Sequence, residues 1–83
     1  MEKTIYTGEY AVVLRLIRQA RRKAGITQVD LANKLGQTQS FVSKVERGDR
    51  RLDIVQLRTL CGLYGIELVD FVQRLEKELK KKK

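Results

Sequence analysis

The stretch TQVDLANKLGQTQSFVSKVERG, residues 27–48, decides how this chain is read. It holds two short helical patterns with almost nothing between them. The first runs to Leu35, the second begins at Thr38, and only Gly36 and Gln37 separate them. Thr27 is a good N-cap. Asp30 sits three residues on, where a carboxylate favours exposed amides and the positive end of the helix dipole. Leu31, Ala32 and Leu35 form the inner face of this helix, and Gly36 ends it. Thr38 caps the next helix, which runs to Arg47 with Val42 and Val45 pointing inward. Gln39, Ser40, Ser43, Lys44 and Arg47 cannot share that inner face. A small protein thus carries two short, largely polar helices, and the question is what holds them and what they face.

Working outward, helical periodicity dominates and strand-like alternation is scarce. Helix 1 is expected over residues 9–23, with Val13, Ile17, Ala20 and Ala24 on one face and Arg15, Arg18 and Arg22 turned to solvent. Gly25 suits the left-handed position that follows a helix. Helix 4 opens at Asp53, with Gln56 completing a capping box, and carries Leu57, Leu60, Cys61 and Tyr64. Gly65 ends it. Helix 5 carries Leu68, Phe71, Val72, Leu75 and Leu79 at helical spacing. The expected fold is all-α, a compact five-helix bundle. Residues 1–8 read as a flexible N-terminal arm, 9–76 as the folded domain and 77–83 as a Lys-rich tail.

Composition narrows the function. Eighty-three residues make one small domain. The net charge of +8 points to a polyanionic partner, and only half of it comes from the four lysines at 80–83. Histidine is absent, no carboxylate pair stands out as acid and base, and no glycine-rich phosphate loop is present, so catalysis is not expected. The single cysteine, Cys61, has no partner for a disulfide and reads as a small buried apolar residue. No cofactor, metal or small-molecule ligand is expected. The start Met1-Glu2-Lys3-Thr4 has no apolar signal region, and Arg15 and Arg18 interrupt the run Ala11-Val12-Val13-Leu14, so neither secretion nor a membrane is expected. The expected setting is the cytoplasm.

Two tightly joined helices, the second polar on its outer side, fit a helix-turn-helix. Here the sequence resembles the Cro/CI-type (XRE-like) helix-turn-helix DNA-binding domain of phage repressors and small bacterial regulators. The residues that carry the likeness are Gly25-Ile26-Thr27-Gln28, Leu31-Ala32, Leu35-Gly36, Thr38-Gln39-Ser40, Val42-Ser43 and Val45-Glu46-Arg47-Gly48. It spans roughly Leu14 to Val72, with apolar, glycine and polar positions agreeing in register. The resemblance implies a lambda-repressor-like domain whose helix-turn-helix lies at helices 2 and 3. It also implies a transcriptional regulator of double-stranded DNA, acting as a repressor.

In such a motif the second helix enters the major groove while the first crosses the backbone. Gln39, Ser40, Ser43 and Lys44 are then the base-contacting set. A glutamine can pair with adenine N6 and N7, and a lysine can reach guanine O6/N7 or a phosphate. Ser43 and Arg47 are placed for either a base edge or a phosphate. Gln28, Thr38, Arg47, Arg50 and Arg51 form the phosphate-contacting set, and the resemblance has Gln28 brace Gln39. Glu46 would repel phosphate. The resemblance gives it a partner on helix 1, here Arg21, in a structural ion pair. Phe41 could serve either the groove or the packing. One recognition helix reads few base pairs, so a homodimer on a palindromic operator is expected, joined through Leu68, Phe71, Val72 and Leu75. The alternative is an antitoxin or adaptor whose main ligand is a partner protein.

Overall fold

The computed structural model describes residues 8–81. Five helices follow one another: α1 Gly8–Lys23, α2 Gln28–Leu35, α3 Gln39–Arg47, α4 Ile54–Leu63 and α5 Leu68–Lys81. No strand occurs among the described residues. The caps are where the side chains demand them. Thr27 Oγ1 accepts from the Asp30 amide at 3.0 Å, and Asp30 Oδ2 accepts from the Thr27 amide at 3.3 Å. Asp53 and Gln56 repeat this reciprocal box on α4, at 2.7 and 2.9 Å. Thr38 Oγ1 accepts from the Phe41 amide at 3.1 Å and starts α3.

The sharp joint between α2 and α3 rests on Gly36, at φ +68°. A Cβ is strained in that left-handed region. With Gly36 so placed, the Gln37 amide turns back to the Ala32 carbonyl at 2.9 Å. The last carbonyls of α2 are thereby satisfied within one turn. Two residues later the chain is extended at Thr38, ready to begin α3 in a new direction.

The core gathers one face from each helix: Val12, Leu16 and Ile17 of α1, Leu31 and Ala32 of α2, Val42 of α3, Leu60 and Cys61 of α4, and Phe71 of α5. Burying a side chain of this kind stabilises by about 1.5–3 kcal/mol. Burial pushes the Cys61 thiol above its ordinary pKa, in keeping with an inert apolar role. The inner face of α1 differs from the expected one. Ala24 is exposed, Val13 and Ala20 sit at the margin, and Val12, Leu14, Leu16 and Arg21 are buried. α1 packs against both α3 and α5, which buries a wide arc, and a charged side chain enters that arc because a partner waits inside.

Gly8 belongs to α1 rather than to an arm, while residues 1–7 lie outside those described. Lys77 to Lys81 continue α5 rather than forming a separate tail, and Leu79 packs against the core; residues 82–83 are not described. Side chains hold this last stretch to α1. Arg15 Nη2 lies 3.2 Å from Glu78 Oε1, and Arg74 Nη2 donates to Gln19 Oε1 at 3.2 Å. Arg15 was expected in solvent; it instead clamps the end of α5.

The Arg15 hydrogen bond holds the Glu78 carboxyl below its ordinary value of 4.5. A depressed carboxylate stabilises the fold above that value, and the gain is lost as pH falls through the lowered one. Glu78→Gln is therefore expected to melt slightly below the parent at neutral pH. The gap should close as both are acidified, as followed by circular dichroism. A gap that persists in acid would assign the effect to packing instead of charge.

Candidate nucleic-acid interface

α3 has two unlike sides. Val42, Val45 and Glu46 are buried, whereas Gln39, Ser40, Lys44 and Arg47 are exposed and Ser43 is half-buried. The helix is only nine residues long. Such a helix is marginal by itself in water, so its place depends on what grips its inner side.

The grip is an ion pair. Glu46 is 3% exposed and Arg21 is 7% exposed. Arg21 Nε donates to Glu46 Oε2 at 2.7 Å, and Arg21 Nη2 donates to Oε1 at 3.1 Å. This two-pronged geometry is among the strongest available to a charged pair. The third arm, Nη1, donates to the Ile26 carbonyl at 2.8 Å, in the α1–α2 joint. Arg18 Nη1 donates to the backbone carbonyl of Glu46 at 2.8 Å. One acidic residue of α3 is therefore held by two arginines of α1.

The network then runs outward. Gln28 Nε2 donates to Glu46 Oε1 at 3.0 Å, and Gln39 Nε2 approaches Gln28 Oε1 at 3.5 Å. The latter is at the limit of a hydrogen bond. The polarity of this chain is set from within. An ionised carboxylate only accepts, so Gln28 must turn its NH₂ inward and its oxygen outward. Gln39 then turns its NH₂ toward Gln28. Its carbonyl oxygen and second N–H are left for a partner beyond the protein surface.

The remaining polar residues are more engaged than the sequence implied. Arg47 donates to Asp49 Oδ2 from Nε at 3.1 Å and from Nη2 at 2.9 Å, and to Ser43 Oγ from Nη1 at 2.8 Å. Ser43 and Arg47 thus form one unit. Arg50 lies over the Phe41 ring, 4.9 Å from its centroid, and Arg51 lies over the Tyr10 ring at 4.5 Å. Phe41 packs at the edge of the core and carries Arg50 on its face. Thr38 uses its oxygen as a cap and keeps its O–H proton as a donor. Arg18, Arg22, Gln28, Ser43 and Arg47 share an open cleft between α1, α2 and α3. Arg18 was expected in solvent. Its position three residues before Arg21, on the same side of α1, was the available signal.

The α5 residues expected at a dimer contact are mostly turned inward. Phe71 is 4% exposed, and Leu68 and Leu75 pack against the core, so only Val72, at 39%, is open. The stripe at helical spacing is used by the monomer, because α1 and α4 both need a partner for their apolar sides.

A short recognition-type helix, a one-glycine joint and a braced polar face define a helix-turn-helix DNA-binding regulator of the Cro/CI type. The helix-turn-helix family profile matches residues 17–71, and the chain belongs to that family. It is similar to the solved structure of an XRE-family like protein from Pseudomonas syringae pv. tomato str. DC3000. The two are 42% identical with a TM-score of 0.81, and the match covers 93% of this chain and 94% of that one. It is also 30% identical over 59 residues to a curated protein of Methanocaldococcus jannaschii, the isomerizing glutamine–fructose-6-phosphate aminotransferase. That match takes in 70% of this chain but spans only 5% of the length of the relative. No described helix is long and apolar enough to cross a membrane.

Removing one partner of the buried pair leaves an uncompensated charge, at about 3–5 kcal/mol. A chain of 83 residues has a total stability of roughly 4–12 kcal/mol. Glu46→Ala is therefore expected to bring the protein near unfolding in urea titrations. The double variant Arg21→Met with Glu46→Leu should recover most of that loss, since apolar packing can replace a buried pair. A double variant no better than the single ones would show that the charge pairing is not the source of the effect.

Proposed function

We propose that the chain is a sequence-specific double-stranded DNA-binding transcriptional repressor that inserts α3 into the major groove as a two-fold dimer. One observation carries this reading. The inner side of α3 is locked by a buried ion pair, while its outer side keeps Gln39, Ser40 and Lys44 exposed. Base reading needs side chains held within hydrogen-bond reach without rearrangement, and a rigid short helix meets that need. The B-DNA major groove, about 12 Å wide, admits such a helix.

In this reading Gln39 is the main base reader. Its outward carbonyl and second N–H match the N6 donor and N7 acceptor of adenine. Ser40 and Lys44 read neighbouring bases, and Ser43 contributes through its bond with Arg47. Gln28 and Thr38 meet phosphates beside the N-termini of α2 and α3, where amides and helix dipoles favour anions. Arg50 and Arg51 grip the backbone after α3. The Arg47–Asp49 pair is exposed and worth about 0–1 kcal/mol, so a phosphate can draw Arg47 away from it. The basic cleft of Arg18 and Arg22 extends the phosphate track along α1. With Phe71 committed to the core, the dimer contact moves to the exposed Val69 and Val72, neighbours on one face of α5. Such a dimer presents two recognition helices to half-sites about 34 Å apart, and repression follows from occupying the site.

Selection of bound duplexes from a random pool at physiological salt is expected to yield a palindrome with that spacing. With about 6–10 phosphate contacts, affinity should fall by roughly 10³–10⁵ between 50 and 200 mM salt. Gln39→Ala should cost about 1–3 kcal/mol and relax the preference at one base pair in each half-site. A pool that shows no enrichment would overturn the reading. A Gln39→Ala loss equal on all sequences would move Gln39 to the backbone.

A further inference from the structure

Asp49 runs against the charge of its surroundings. Lys44, Arg47, Arg50 and Arg51 are all exposed on the last turns of α3 and the turn that follows it. Residues 39–52 hold two acids, and one of them, Glu46, is buried on Arg21. Asp49 therefore sets the one exposed carboxylate of this stretch on a surface otherwise suited to phosphate. Its place is fixed by the backbone. Gly48 ends α3 at φ +87°, where a Cβ is strained, and the Asp49 amide turns back to the Lys44 carbonyl at 2.9 Å. The carboxylate thus stands beside the last turn of α3, within reach of Arg47.

The contact it makes is unlike that of Glu46. Arg47 Nε and Nη2 both donate to a single oxygen, Oδ2, at 3.1 and 2.9 Å. The two side chains are 59% and 47% exposed. Nη1 donates to Ser43 Oγ at 2.8 Å, which holds the plane of the guanidinium. A guanidinium edge pairs best with two oxygens through two parallel bonds, as carboxylates and phosphates can offer. Here the Nε–Nη2 edge is occupied, but by one shared oxygen. A phosphate lying in line with that edge brings two oxygens and displaces Asp49. A phosphate out of line brings one, and gains nothing over the carboxylate already there.

We propose that Asp49 is a specificity-determining residue, which withholds Arg47 from every phosphate not held in line with it. The inference rests on the reading of α3 as a DNA-recognition helix. On an operator, the base contacts of Gln39, Ser40 and Lys44 hold α3 at one depth and angle, so the same phosphate always meets Arg47 aligned. On other duplexes binding is almost wholly electrostatic and the protein slides, so alignment is transient. An internal competitor of this kind weakens non-specific binding more than operator binding. At the strength of an exposed pair, the difference is about two- to fivefold per recognition helix.

The test compares the parent, Asp49→Asn, Arg47→Gln and the double variant on two duplexes. One is the duplex recovered by selection, and the other is a scrambled duplex of equal length and composition. Asp49→Asn keeps the shape and removes the charge. It is expected to tighten the scrambled duplex by about two- to fivefold per helix and the selected duplex by less, so that the ratio between them falls. In the Arg47→Gln background the same change should leave the ratio unaltered. A gain equal on both duplexes would assign Asp49 to plain charge repulsion and overturn the proposal. So would a fall in the ratio that persists with Arg47→Gln, or weaker binding of both duplexes by Asp49→Asn. In the free protein the Arg47 Nε–H resonance should shift and exchange faster in Asp49→Asn, and an unchanged resonance would likewise count against the pair. A parent that does not tell the two duplexes apart sinks the DNA reading and this proposal with it. A parent that does, with any of the contrary results above, sinks the proposal alone.

Discussion

The buried pair of Arg21 and Glu46 is the constraint on which the rest of this small protein depends. Taking two charges out of water costs several kcal/mol per ion even after the surroundings relax, and the attraction repays this only with good geometry and additional hydrogen bonds. Both are present. The contact is two-pronged, Gln28 takes a further lone pair, and the Ile26 carbonyl takes the third arm of the arginine. Apolar residues in the same places could hold the helices together as well. The ion pair adds directed bonds to α3, which hydrophobic contact by itself does not supply.

That directionality links folding to function. The carboxylate can only accept, so it orients Gln28, and Gln28 in turn orients Gln39. An electrostatic condition deep in the bundle thus selects which atoms of a surface glutamine face outward. The same pair ties α3 to the α1–α2 joint through Ile26, so the two halves of the helix-turn-helix keep one relative angle. The arginines of the opposite side follow a looser logic. Arg47, Arg50 and Arg51 are stored on Asp49 and on the faces of Phe41 and Tyr10. Exposed contacts of this strength keep long side chains ordered at small cost and yield to a stronger anion.

Local chemistry settled a large part of this architecture. Thr27 with Asp30, Thr38, and Asp53 with Gln56 start their helices through contacts three residues long. Gly36 ends α2 by allowing a single left-handed residue. Such features need no distant partner, so a sequence displays them directly. The polar side of α3 was equally legible, since Gln39, Ser40 and Lys44 cannot share a face with Val42 and Val45. The pairing of Arg21 with Glu46 came from family resemblance, for nothing in local spacing relates two residues 25 positions apart.

What the tertiary structure alone decided concerns side chains whose partners lie on other helices. It turned α1 so that Arg21, rather than Ala24, faces inward, and it drew Arg18 onto the Glu46 carbonyl. It carried α5 through Lys81 by packing Leu79 and pairing Glu78 with Arg15. It placed Phe71 in the core and left Val69 and Val72 outside. Periodicity shows that a helix has an apolar side, but not which neighbours will cover it. The number and direction of those neighbours are set by how all five helices pack at once. The sequence by itself therefore determined the helices, their ends and the polar face of α3, and the packing determined which charges are buried and which apolar residues remain exposed.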